Sequence, residues 1–190
     1  LDIYSDNEED NSDYLFLGDY LIRSFEEIFV DEFNSVSTFK VINHYLKKYD
    51  EIEYVEKNNL WKECPFKWNN AKILGYKTSP LISLFAVVFQ HIEFDEKRIN
   101  DIVDGFLDIL AIIQILDDVG DAASDLSVGR ETLVMSGFYK KFGIDNSWTE
   151  KNIEQFLDQE QLKKIYINIQ KLFDNATKQF TKHEDIIFLF

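Results

Sequence analysis

Apolar residues recur at steps of three and four along most of this chain, with polar residues between them. The pattern is clear over residues 13–33, is repeated over 35–57, and returns over 149–178. Such a step collects apolar side chains on one face of an α-helix. We therefore predict an amphipathic helix over each of these three ranges.

Two further stretches predict helices with a larger apolar share. Ser79 and Pro80 stand before the run LISLFAVVF, which predicts a buried helix with Ser79 as its cap and Pro80 at its first position. Residues 96–124 have the pattern of one long helix, whereas residues 58–72 mix Trp, Pro and Asn and predict a loop or broken helix. With only seven Gly and two Pro in 190 residues, the fold class is predicted to be all-α.

Charge and cysteine content limit the kinds of partner and compartment that we expect for this protein. The net charge of -15 disfavours binding to nucleic acid or to an anionic membrane. Residues 1–12 hold five acidic side chains without helical periodicity, so we expect a solvated loop or frayed segment there, before one helical domain over 13–190. Cys64 is the only cysteine, and no apolar run approaches the roughly 18 residues of a membrane span. These features predict a cytoplasmic protein without a transmembrane segment.

The run IIQILDDVGD, residues 112–121, places carboxylates directly after a hydrocarbon stretch. On a regular helix, Asp117, Asp118, Asp121, Asp125 and Gln114 fall within an arc of about 100°. Clustered carboxylates repel one another unless cations neutralise them, and Mg²⁺ prefers such oxygen ligands. The pattern predicts a Mg²⁺ site formed by the four aspartates, and the alternative is a solvent-facing acidic helix end.

Two cations accompany this acidic stretch. Lys77 and Thr78 follow Gly75, and Arg130 follows Gly129. Each cation stands at a predicted helix boundary, where side-chain charge and backbone N–H groups together suit a phosphate oxygen. The arrangement predicts that each cation holds a phosphate oxygen, and the alternative is a solvated side chain near a loop.

Four ordered stretches resemble the motifs of the trans-isoprenyl diphosphate synthases, the polyprenyl synthase family of class I isoprenoid enzymes. They resemble, in turn, G-D-Y-L, K-T-x-x-L, F-Q-x-x-D-D-x-x-D and D-L-x-x-G-K-x-T-L. In this chain they are 18–21, 77–81, 113–121 and 125–133, with Arg130 in place of the usual Lys.

The resemblance implies an isoprenoid synthase-type helical bundle around a central apolar cavity, usually dimeric. It also implies a Mg²⁺-dependent prenyltransferase, in which an allylic prenyl diphosphate ionises and is elongated with isopentenyl diphosphate. In that reading Asp117, Asp118 and Lys77 act in catalysis. The implied metal ligands are Asp117, Asp118 and Asp121, and the implied diphosphate-binding residues are Lys77, Thr78, Gln114 and Arg130.

The sequence departs from the family at its amino-terminal side. The family's first D-D-x-x-D and its following arginine pair lie further upstream than the 17 residues before Gly18, and this chain has no Arg-Arg pair. We expect those groups on an upstream segment or a partner chain. Residues 118–121 with Gly129 and Arg130 are also similar to squalene and phytoene synthases. A terpene cyclase, a squalene- or phytoene-type enzyme and a non-catalytic subunit of a heteromeric synthase therefore remain as alternatives.

Overall fold

A computed structural model describes residues 36–58, 68–92, 94–129, 132–143 and 149–183. Every regular element in these ranges is a helix and none is a strand, which confirms the all-α class. The chain forms two compact units, Leu1–Lys40 and Val41–Phe190. The acidic segment 1–12 and the helix predicted over 13–33 lie outside the described residues.

The described elements are helices of very different length. In chain order they are α1 (Val36–Lys57), a 3₁₀ helix (Trp68–Thr78), α2 (Ser79–His91), α3 (Glu96–Gly120), α4 (Ala122–Val128), α5 (Leu133–Phe142), α6 (Glu150–Phe156) and α7 (Gln159–Thr181). Helix α1 confirms the helix predicted over 35–57. The 3₁₀ helix begins within the stretch that was expected to be a loop or broken helix.

Two long helices predicted as continuous are each divided. The helix expected over 96–124 ends at Gly120, and α4 begins after Asp121. The helix expected over 149–178 is interrupted after Phe156, because Asp158 caps a new helix by accepting a hydrogen bond from the Gln161 N–H at 2.9 Å. Apolar periodicity continues across both breaks, so the stripe alone does not reveal them.

The start of α2 also differs from the prediction. Its cap is Thr78 rather than Ser79, which is already helical, and Pro80 follows within the first turn. The Thr78 hydroxyl makes no capping bond and instead donates to the Gly75 carbonyl at 3.0 Å. The Thr78 side chain therefore closes the end of the 3₁₀ helix. Pro80 lacks a backbone N–H, and the first turn of α2 tolerates this because an N–H there has no partner within the helix.

Helix α3 is the centre of packing in the second unit. Its Ala111 and Ile115 are fully buried in a cluster with Leu74 of the 3₁₀ helix, Leu133 of α5 and Leu172 of α7. A second cluster joins α3 to α1 and α2. Since residues on several faces of α3 are buried, five neighbouring elements fix its position, and the carboxylates at its end are carried on a packed helix.

The 3₁₀ helix lies directly on the middle of α3. A Cβ atom added at Gly75 would come within 2.3 Å of the Leu107 carbonyl oxygen, so the two backbones are in contact. Within the described ranges no single helix is long and apolar enough to cross a membrane. Residues 71–78 and 80–91 reach that length and composition only as a pair bent by 79°.

Candidate functional site

The predicted acidic face lies at the carboxyl-terminal end of α3 and is divided between solvent and core. Asp117 and Asp121 are exposed, whereas Gln114, Asp118 and Asp125 are buried. The division follows from helix geometry, since an arc of about 100° is wide enough to cross the boundary of the buried face. The break at Asp121 then starts a separate helix that carries Asp125.

Asp118 is held by the backbone of a neighbouring helix. Its Oδ2 accepts a hydrogen bond from the Leu133 N–H at 3.1 Å, at the first residue of α5. The Thr132 hydroxyl oxygen accepts from the Met135 N–H in the same turn. A buried carboxylate requires such donors, and the first N–H groups of a helix lack partners within the helix. Asp118 therefore fixes the start of α5 against the end of α3.

Asp117 and Asp121 stand one helical turn apart on the exposed side. The Asp121 N–H donates to the Asp117 carbonyl at 2.8 Å, so the turn between them is closed. In the described part of the chain, no three Asp, Glu, His or Cys side chains come together as a metal cage. A pair of carboxylates nevertheless suits Mg²⁺, which commonly takes one or two together with water and substrate phosphate. The donors fit Mg²⁺ in this limited form.

Exposed hydrocarbon adjoins these two carboxylates. Ile113 and Leu116 are 51% and 55% exposed. They lie about 40° and 100° around the helix from Asp117, on the side away from the buried Asp118. Further towards the amino end, Phe106 is packed between other rings, with its centroid 4.9 Å from that of Phe85 and 5.3 Å from that of Phe180. On α3, the exposed large apolar side chains are thus confined to the last two turns beside Asp117.

The predicted diphosphate-binding cations are only partly described. Lys77 is half-buried at the end of the 3₁₀ helix, and Arg130 lies outside the described residues. Gly75, two residues before Lys77, packs on Leu107, which precedes Asp117 by about 15 Å along α3 at 1.5 Å per residue. Lys77 and Thr78 therefore lie beside the middle of α3, whereas the exposed carboxylates lie at its carboxyl-terminal end.

A polar cluster that the sequence analysis did not single out lies on the opposite side of α3. Lys72 of the 3₁₀ helix contacts Asp104 at 3.0 Å and the buried Asp108 at 3.6 Å. Burial raises the pKa of Asp108, and the Asp104 charge adds to this effect while Lys72 opposes it. The four-residue spacing of the two aspartates was a visible signal, but it resembles an ordinary exposed helix face.

The geometry therefore assigns different surroundings to the residues of the aspartate motif. Asp117 and Asp121 face solvent beside apolar surface, and Asp118 caps a helix. No family model, curated protein or solved structure matches the chain, so the resemblance to the polyprenyl synthases depends on its four motifs alone.

Proposed function

We propose that this chain forms the second aspartate-rich half of a Mg²⁺-dependent site that ionises an allylic prenyl diphosphate for transfer to isopentenyl diphosphate. The observation that carries the proposal is the surface at the end of α3. There Asp117 and Asp121 are accessible on one turn, directly beside the exposed Ile113 and Leu116. A prenyl diphosphate has the same two parts, a charged head and a hydrocarbon tail.

Each part of this surface has a distinct task. The carboxylate oxygens of Asp117 and Asp121 would hold Mg²⁺, which would supply positive charge to a departing diphosphate. In this proposal Arg130 supplies positive charge to the diphosphate oxygens, and Ile113 and Leu116 keep water from the tail. Lys77, which follows Gly75 beside the middle of α3, is not assigned to this surface. Asp118 is a positioning residue, because its bond to the Leu133 N–H fixes α3 against the helix that follows Arg130.

The exposed apolar side chains give the proposal an energetic basis. Covering a fully exposed Leu or Ile contributes about 1.5–3 kcal/mol, so the exposed halves of Ile113 and Leu116 are worth about 1 kcal/mol each. A ligand tail or an adjoining protein segment would gain this free energy.

The test is Mg²⁺-dependent release of pyrophosphate from geranyl, farnesyl and geranylgeranyl diphosphates by the complete gene product. We expect Asp117→Asn and Asp121→Asn each to lower the rate about a hundredfold, since each removes a charge that supports the leaving group. Asp50→Asn is the matched control, because Asp50 is an exposed aspartate on α1. Equal rates in all three variants would refute the site.

The product identifies the reaction class. A longer prenyl diphosphate formed only with isopentenyl diphosphate indicates an elongase. A hydrocarbon or alcohol formed from the allylic substrate alone indicates a terpene cyclase, and condensation of two allylic diphosphates indicates a squalene- or phytoene-type enzyme. Each outcome retains the same ionising surface.

One observation favours a second candidate, the non-catalytic subunit. Asp118, the second aspartate of the motif, is buried and occupied by the Leu133 N–H. A subunit that only supports a catalytic partner would need this structural bond but not the exposed Asp117. Such a subunit would release no pyrophosphate by itself, and Asp117→Asn would leave the activity of its complex unchanged.

A further inference from the structure

A cleft of about 480 Å³ lies between the 3₁₀ helix, α3 and α7. On α3 it is lined by Asp104 and Asp108, which are about 140° and 180° around the helix from Asp117. It is therefore separate from the exposed aspartate surface. Its size falls within the range of small-molecule sites, about 300–1,000 Å³.

The α7 wall of this cleft is basic, although the chain as a whole carries a charge of -15. Lys171, Asn175, Lys178 and Lys182 follow steps of four, three and four residues, which brings them to one face of α7. In the sequence this stripe is part of the polar face of the amphipathic pattern. Cationic and amide groups on one wall provide hydrogen-bond donors for an anion.

The charges of the cleft are not all balanced internally. Lys72 is engaged by Asp104 and Asp108, and Lys182 lies 3.6 Å from Asp101. Lys171 and Lys178 form no ion pair with any residue that the structure describes. They stand two turns apart, about 10 Å along the axis, and their flexible side chains can converge on one polyanion. The local excess of positive charge is therefore available to a ligand.

Besides Asn168 and Gln179, the remaining lining residues are apolar or aromatic. Trp68, Ala71 and Leu172 contribute to the floor where the 3₁₀ helix meets α7. A half-buried indole offers a flat surface for a planar ring. We propose that this cleft binds a phosphorylated small molecule, with its phosphates on Lys171 and Lys178 and its body towards Trp68.

Calorimetric titration with pyrophosphate and with ADP, in EDTA, tests the proposal independently of any Mg²⁺ site. We expect saturable binding that weakens with added salt. Lys171→Gln with Lys178→Gln should weaken it at least tenfold, since each lost charged hydrogen bond costs about a factor of ten. The matched control is Lys140→Gln with Lys163→Gln, which removes two exposed charges outside the cleft.

The paired Lys→Arg substitution at positions 171 and 178 should retain binding, which separates loss of charge from loss of fold. Tighter binding of ADP than of pyrophosphate, lost in Trp68→Ala, would identify a nucleotide. Equal affinities would identify a free diphosphate. The proposal is overturned if neither ligand binds, if both double Gln variants weaken binding equally, or if an oligoglutamate peptide binds more tightly than either.

Discussion

Gly75→Ala tests the packing of the 3₁₀ helix on α3. The added Cβ would lie 2.3 Å from the Leu107 carbonyl oxygen, 3.0 Å from its carbonyl carbon and 3.1 Å from its Cα. Ordinary contacts begin at 3.4 Å. Overpacking costs about 1–3 kcal/mol, and a clash with backbone belongs at the upper end because no side chain can rotate away. We expect a loss of about 3 kcal/mol.

The measurement is urea unfolding followed by circular dichroism, together with the thermal midpoint. For a chain of this size, about 3 kcal/mol lowers Tm by about 6–12 °C. Gly120→Ala is the matched control, since its added Cβ meets nothing within 4 Å and removing a helical Gly stabilises by up to about 1 kcal/mol.

Gly105→Ala provides an intermediate case, because its Cβ would meet the Phe180 ring at 2.8 Å and a side chain can give way. We expect a smaller loss than for Gly75→Ala. Surface substitutions typically change the free energy of unfolding by less than about 0.5 kcal/mol. If Gly75→Ala changes it by no more than this, the contact between the 3₁₀ helix and α3 is wrong.

Three further measurements address single residues. Asp118→Ala should cost about 1–3 kcal/mol in urea unfolding because the Leu133 N–H loses its acceptor, whereas the exposed Asp117→Ala should change stability by under about 0.5 kcal/mol. Gly129→Ala should cost about 1 kcal/mol, since Gly129 ends α4 at φ 69° and ψ 22°; no loss would contradict that conformation. The native pKa of Asp108 is raised above its unfolded value of 3.8, so the native state binds more protons. Stability relative to Asp108→Asn should therefore fall as pH rises above about 4, and a rise would contradict the raised pKa.

The helical class was readable from the sequence because apolar periodicity reports which residues face a core. Helix α1 and the start of α3 followed directly from it. The breaks at Asp121 and Asp158 did not, since the apolar stripe continues through both. The break at Asp158 depends on one side chain reaching one N–H group, whereas the Asp121 side chain makes no such capping bond. A break of this kind gives little signal in the apolar periodicity, because the periodicity is read over several turns.

The sequence showed which residues the candidate site contains, but not which of them face solvent and which are buried. Spacing placed Asp117 and Asp118 on one acidic arc, but burial of the helix was needed to separate the exposed Asp117 from the capping Asp118. The basic wall of the cleft was missed for a similar reason, because lysines on an amphipathic helix usually face water. Only the packing of α7 against α3 shows which side of α7 borders a cleft.

The most direct test of the proposed function is a Mg²⁺ titration of pyrophosphate release from farnesyl diphosphate by the complete gene product. The account predicts saturable release, with Asp121→Asn requiring at least about tenfold more Mg²⁺ because it removes one charged ligand. Asp50→Asn should follow the parent curve. Superimposable curves for Asp121→Asn and Asp50→Asn, or no release at any Mg²⁺ concentration, would contradict the assignment of the exposed aspartates to a metal and diphosphate site.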